Sequence, residues 1–235
     1  MKERPILFSA PMVRALLDGS KKQTRRVVKP KIAETLEWFG GKADADDDRE
    51  LAELLGQRTE EKGLRVWCID YPEEGSEVIN SPYGQPGDRL WVRETFSEAD
   101  MADGTPVVAY RAGGCIAIGR KDSRGPDYLI HDYSFSEPVH VDKWKPSIFM
   151  PRWASRITLE ITGVRVERLQ DISAADAMAE GIMAAGDGNG FQSERQAGIT
   201  SATRYSYAAL FEDINGTGSW DANPWVWVIE FKVLL

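Results

Sequence analysis

Arg156-Ile-Thr-Leu-Glu-Ile-Thr-Gly-Val-Arg-Val-Glu167 is the stretch on which the reading of the fold turns. Ile157, Leu159 and Ile161 fall on one side of an extended chain, with Thr158, Glu160 and Thr162 on the other. Such alternation marks a strand with one buried face. At Gly163 the phase changes and the apolar positions become Val164 and Val166. A glycine at a change of phase marks a bulge or sharp bend, and bends of this kind let a sheet curl into a barrel.

Other strands follow the same rule. In Arg89-Leu-Trp-Val-Arg-Glu94, Leu90 and Val92 form an aliphatic face, while Trp91 stands between Arg89 and Arg93 on the other. Near the end of the chain Trp225, Trp227, Ile229, Phe231 and Val233 fall on one side with Glu230 and Lys232 on the other, and Trp225 and Trp227 read as core. Short extended segments are expected at 6–8, 64–71 and 107–111, whereas 119–140 lacks a clear pattern.

Three short helices are expected. The first runs from Ser9 to Asp18, with Pro11 in its first turn, Met12, Ala15 and Leu16 on one face, and Gly19 as its stop. The second opens on Ser173-Ala-Ala-Asp176, a capping box with Asp in the Glu position, and ends at Glu180-Gly181. The third, about 203–215, puts Tyr207, Leu210, Phe211 and Ile214 on one face and closes at Asn215-Gly216. Several curved strands with peripheral helices predict a single α+β domain over residues 1–235, built on a small β-barrel and carrying insertions at about 31–63, 95–140 and 184–202.

Composition narrows the class. The chain has 42% hydrophobic and 28% charged residues, values typical of a soluble globular protein, and enough length to bury a sizeable core. No apolar run is long enough to span a membrane, and the N-terminal residues do not read as a signal peptide, so no membrane partner and a cytoplasmic location are expected. Cys68 and Cys115 form no Cys-x-x-Cys pair, and His131 and His140 are isolated, so neither a metal nor another cofactor is expected. Protein partners and oligomeric state are not legible.

Charge is unevenly distributed. Ten acids and three bases lie between Glu34 and Glu61, which carries −7 of the chain's net −8 and leaves the remainder near −1. This tract reads as a solvated excursion, with Asp48 able to cap a helix over 49–55; it is also a candidate shield or nucleic-acid mimic for a basic cleft. Against it stands a basic knot: Arg14, Lys21, Lys22, Arg25, Arg26, Lys29 and Lys31 face a single acid, Asp18, between positions 14 and 31. A basic knot kept in an acidic chain suggests a phosphate-bearing or polyanionic partner. The segment from Thr24 to Val28 reads as an exposed strand carrying functional side chains.

Taken together, the helix followed by Gly19-x-Lys21-x-x-Thr24-x-Arg26, then Gly87-Asp88-x-Leu90-x-Val92, Leu169-x-Asp171-Ile172 with Glu180-Gly181, and Trp225-x-Trp227-Val228-Ile229-x-Phe231, resembles the ASCH domain family of the PUA-like superfamily. Trp144-Lys-Pro-Ser-Ile-Phe-Met-Pro-Arg-Trp153 is similar to a segment of longer ASCH proteins from phage and prophage genomes. The resemblance implies a PUA-like barrel with a cleft for a nucleotide, RNA or modified base. One bacterial branch of the family removes the acetyl group from N4-acetylcytidine, and its working lysine, threonine and glutamate would fall on Lys21, Thr24 and Glu180.

On that reading Lys21 activates the Thr24 hydroxyl, and Glu180 shuttles a proton or orients water. Arg25 and Arg26 hold phosphate or a sugar edge. Trp91 and Tyr83 offer stacking surfaces, and Arg152 adds charge to the cleft. The bland alternatives are a lysine at a helix C-terminus, an ordinary strand threonine, an acidic helix face and arginines on a solvated strand. Three functions stay open: an amidohydrolase acting on N4-acylated cytidine-type nucleosides, a non-catalytic RNA or modified-base binder, and a metal-independent ribonuclease.

Overall fold

A computed structural model describes residues 1–38, 64–67, 76–101, 103–119, 128–135, 141–182 and 199–234. The expected helix at 49–55, the acidic residues 44–48 and the glycine-rich stretch 184–198 lie outside the described residues. The fold is α+β, with open sheets. A five-stranded sheet has the hydrogen-bonded order β1-β5-β10-β11-β2, formed by Glu3–Leu7 (β1), Arg89–Arg93 (β5), Thr158–Arg168 (β10), Trp225–Leu234 (β11) and Gln23–Val27 (β2). A second, four-stranded sheet joins Phe96–Asp100 (β6), Pro106–Tyr110 (β7), Cys115–Gly119 (β8) and Tyr128–Phe135 (β9) in chain order, and Leu64–Trp67 (β3) pairs with Ser76–Ile79 (β4). The small barrel expected from the sequence is therefore not formed among the described residues. A sheet closes only when its two end strands share a ladder, and here the order is linear.

The chain groups into two compact units. The first comprises residues 1–19, 89–160 and 233–235. In it, β1 runs parallel to β5, pairing Glu3 with Arg89, Pro5 with Trp91 and Leu7 with Arg93. β10 runs antiparallel to β5, pairing Thr158 with Trp91 and Glu160 with Arg89. Period-2 alternation then gives the three strands two distinct faces. Ile6, Leu90, Val92 and Leu159 fill the buried one. Helix α1, Ala10–Leu17, buries Val13 and Leu16, so its inward stripe is centred one position along from the expected Met12 and Ala15, which are only half-buried. Ser9 occupies the N-cap position without a side-chain cap bond, and Gly19, at φ 79°, ends the helix.

The stretch expected to be an insertion at 95–140 builds the four-stranded meander. Its hairpins carry readable turn chemistry: Asp103-Gly104 between β6 and β7, and Gly113-Gly114 between β7 and β8, with all three glycines at positive φ. β9 occupies part of the patternless region 119–140, and its pairing with β8 changes register between Ile116 and Ile118. That irregularity erases a clean alternation, so the strand is set by its neighbour rather than by local pattern. Phe96, Val108, Tyr110, Ile118, Met150 and Ala154 form its core.

The second unit comprises residues 20–88 and 161–232. β11 runs antiparallel to β2, with Trp227 opposite Arg26 and Ile229 opposite Thr24. Pro30–Trp38 (α2) is helical with Leu36 buried, so the expected insertion at 31–63 begins as packed structure. Helices Ala174–Ala179 (α3) and Ile199–Asn215 (α4) cover a core of Leu169, Ile172, Ala177, Tyr207, Phe211, Val226 and Val228. Ser173 caps α3 as expected, its hydroxyl accepting from the Asp176 amide at 3.0 Å. At Gly163 burial does change phase, from Leu159 and Ile161 to Val166. The glycine sits in close approach to Glu230: a Cβ would lie 2.9 Å from its Oε2 and would displace the end of that side chain.

The two faces of the three-strand layer give a direct test. Leu90→Ala, in the buried face, is expected to lower stability by about 2–5 kcal/mol, and Leu7→Ala, on the solvent-facing side, by less than about 0.5 kcal/mol. Urea unfolding of both variants checks the assignment.

Candidate functional site

The site is built in the second unit, at the start of β2 and the end of α3. Lys21 forms an isolated antiparallel bridge with Glu180, and the Lys22 amide donates to the Ala179 carbonyl at 2.7 Å. Backbone pairing therefore brings two side chains 159 positions apart into one place. Lys21 is 1% exposed, and its Nζ donates to Glu180 Oε2 at 2.7 Å and to the Glu180 carbonyl at 2.9 Å. Glu180 is the C-cap of α3, so the ammonium also sits against the negative end of a helix.

Arg25 closes the arrangement from β2. One terminal nitrogen donates to Glu180 Oε1 at 3.2 Å. Its Nε and other terminal nitrogen donate to Glu167 Oε1 at 2.9 and 2.5 Å, and the latter nitrogen also lies 3.3 Å from Asp176 Oδ2. Arg165 extends the network to Glu167, Asp176 and Glu230. Gln23 Nε2 donates to the Asp176 carbonyl and to its carboxylate. Lys21, Gln23, Thr24, Arg25 and Glu180 are all buried, so the segment expected to be an exposed strand is interior at Thr24 and Arg25, with Arg26 half-buried and Val27 exposed. Acids from β10 and α3 make this burial tolerable, because a buried cation must be paired.

Electrostatics follow from burial. Desolvation pulls the Lys21 pKa down from its ordinary value; Glu180 opposes that shift, and Arg26 and Arg25 add to it. Burial likewise lowers Arg26, against the opposing influence of Tyr83, Glu180 and Tyr207. Tyr83 is half-buried in the loop before Gly87, and burial raises its hydroxyl pKa while the Arg26 charge opposes the rise. Tyr83 thus lies within the electrostatic reach of Arg26. Burial also raises Tyr207, whose ring lies 5.9 Å from the Arg25 guanidinium carbon. Thr24 is buried in β2, opposite Ile229.

Of the residues expected from the sequence, Lys21, Arg25 and Glu180 share one network, Arg26 is coupled to it electrostatically, and Tyr83 is coupled to Arg26. Trp91 and Arg152 belong to the first unit, where Trp91 is covered by Arg93 at 4.7 Å and Arg152 at 6.0 Å from its ring centroid. Arg152 also donates to Glu3 and Thr158. Sequence reasoning missed Glu167, Arg165, Gln23, Glu230 and Tyr207 as parts of the network, and saw Asp176 only as a cap. Their separation along the chain leaves no local signal, save that Glu167 and Arg165 sit just past the phase change at Gly163. Among the described residues, no group of three His, Cys, Asp or Glu side chains is placed to hold a metal ion, and no helix is long and apolar enough to cross a membrane.

Comparison with protein-family models, curated proteins and solved structures finds no significant match.

Two outcomes test the network. Glu180→Gln leaves Lys21 and Arg25 short of their shared counter-charge in a buried setting and is expected to cost about 3–5 kcal/mol in urea unfolding. Asp176 gives a pH signature. Burial raises its pKa, but the Ser173 hydrogen bond, the charges of Arg25 and Arg165 and the Gln23 hydrogen bond outweigh that and hold it below the usual carboxylate value. Its folded pKa is below its unfolded one, so its contribution is present above about pH 4 and is lost as pH falls through the folded value. Melting temperatures between pH 2 and 7 should therefore fall less steeply on acidification in Asp176→Asn than in the unmodified chain.

Proposed function

We propose that this chain is an ASCH-type nucleotide-recognising protein whose buried Lys21–Glu180 centre hydrolyses an acyl group from N4-acylated cytidine-type nucleosides. The observation that carries the reading is the 2.7 Å contact of Lys21 Nζ with Glu180, both buried, with the lysine pKa lowered by desolvation. A lysine held at its ordinary pKa is an ammonium near neutrality and cannot take a proton. One whose pKa is lowered can act as a base or proton relay. The sequence resemblance points to Lys21, Thr24 and Glu180, and the lysine and glutamate of that set are in contact here.

In the proposed reaction the Thr24 hydroxyl attacks the acyl carbonyl carbon and Lys21 takes its proton. The bond from the carbonyl carbon to N4 breaks, and the departing amine receives a proton passed through the Lys21–Glu180 pair. Water then cleaves the resulting threonyl ester and the acyl group leaves as a carboxylate, so each proton removed is returned. Arg25 spends its donors on Glu167, Asp176 and Glu180, so its part in this reading is to hold Glu180 in place. This reading assigns contact with the nucleoside to Arg26 and Tyr83.

Incubation with N4-acetylcytidine tests the proposal. The unmodified chain should release cytidine and acetate, and Lys21→Ala should lower the rate by about 100-fold or more. The rate should rise with pH, with a midpoint below the ordinary lysine value, because the neutral amine is the active form. Absence of cytidine at high protein concentration overturns the amidohydrolase reading; binding of RNA without product would then favour the non-catalytic alternative, and shortened RNA the ribonuclease.

A further inference from the structure

The first unit carries a feature that the Lys21 centre does not use. On β5, Arg89, Trp91 and Arg93 share the face turned away from the aliphatic core, and Pro5 and Thr158 flank Trp91 on the neighbouring strands. The Nε atoms of Arg89 and Arg93 are enclosed and have no hydrogen-bond partner among the described residues. Neither arginine forms an ion pair there, although the chain as a whole is acidic. By contrast Arg156, two residues before β10, is fully used: it grips Glu94 through two 2.9 Å bonds, donates to the Gly113 carbonyl and stacks on Tyr110. Unit one can therefore satisfy an arginine, and at Arg89 and Arg93 it does not.

Arg93 is also preorganised. Its guanidinium carbon lies 4.7 Å from the Trp91 centroid, and Arg152 approaches the same ring at 6.0 Å while anchored by Glu3 and Thr158. A guanidinium stacked on an aromatic ring keeps its donor edge free and loses little entropy on binding an anion. Arg89 and Arg93 are four strand positions apart, about 13 Å along β5. That separation suits two phosphates of one extended strand better than one small anion. The acids on this face, Glu3 and Glu160, sit opposite Arg89 on the two neighbouring strands, and Glu3 is engaged by Arg152.

We infer that the Arg89–Trp91–Arg93 face of β5 is a binding surface for the phosphodiester backbone of single-stranded nucleic acid, with Arg89 and Arg93 each taking one phosphate. The Trp91 ring acts as the platform that fixes Arg93, because it is buried beneath two guanidinium groups. Backbone contacts of this kind position a strand without reading its sequence. The inference stands on the first unit alone and does not depend on the amidohydrolase reading.

Fluorescence anisotropy of the full chain with a labelled single-stranded 12-mer RNA, between 50 and 200 mM salt, tests it. The unmodified chain should bind with an affinity that falls steeply as salt rises. Arg89→Gln/Arg93→Gln should bind roughly tenfold or more weakly, and its salt slope should be shallower by about 1.4, the value for two phosphates on a single strand. Arg89→Lys/Arg93→Lys keeps the charge but loses the fork, so it should weaken binding several-fold with the slope retained; it serves also if the glutamine variant fails to fold. No binding by the unmodified chain, an unchanged affinity and slope in the folded glutamine variant, or an unchanged affinity in the lysine variant would each overturn the inference. So would equal binding of polyglutamate of matching length, or complete competition by millimolar inorganic phosphate, which would mark a general anion or single-phosphate site.

Discussion

A lysine ammonium enclosed at 1% exposure has to be answered by a carboxylate, and in the second unit this single requirement organises much of what surrounds it. Glu180 answers Lys21 from the C-cap of α3, and a carboxylate there is itself unwelcome next to the negative end of a helix unless a second cation shares it. Arg25 supplies that cation. Arg25 then presents more donors than Glu180 can accept, and Glu167 and Asp176 take the remainder. Each burial creates a need that the next residue meets. The network grows outward until it reaches Arg165, Glu230 and the half-exposed rim. Removing one partner of such a pair costs more than the pair contributes, because the survivor is stranded in a poor solvent.

The same logic separates the two arginine-bearing strands. On β2, Arg25 is buried among acids, and its charge is spent on cohesion. On β5, Arg89 and Arg93 flank a buried tryptophan and carry no ion pair among the described residues. Residue type alone makes these strands look alike. What distinguishes them is whether the arginine is bonded to the carboxylates that neighbouring strands bring to its face: Glu167 of β10 accepts from Arg25, whereas Glu3 and Glu160 stand opposite Arg89 without an ion pair to it, and Glu3 is engaged by Arg152. The proposed hydrolysis, which needs a depressed lysine pKa, draws on the first environment. The anion binding inferred for β5 draws on the second.

How far local sequence reaches depends on how local the governing physics is. Helix α1 and its glycine stop, the Ser173 cap, the aliphatic face of β5 and the phase change at Gly163 were all legible, because each is decided within a few residues by capping, turn geometry or period-2 burial, whereas β11 is buried on both faces over 225–229 and not on one alone. The meander over 96–135 was missed as a sheet although its Asp-Gly and Gly-Gly turns were in plain view, since the irregular register of β9 hides its alternation. β2 was misjudged as exposed because charge was taken as a sign of solvent, and a charged residue can be buried wherever tertiary structure supplies the counter-charge.

From the sequence by itself come the α+β character, the aliphatic and arginine-bearing faces of β5, the basic knot over 14–31 and, through family resemblance, Lys21, Thr24 and Glu180 as site residues. Only the tertiary structure decides that the sheets are open among the described residues, that Lys21 and Arg25 of the knot are interior, and that Glu167, Asp176 and Arg165 complete their network. The physical reason is range. Hydrophobic periodicity and capping act between neighbours in sequence, while the energy of a buried charge depends on groups brought near by the fold, here from 142 to 159 positions away.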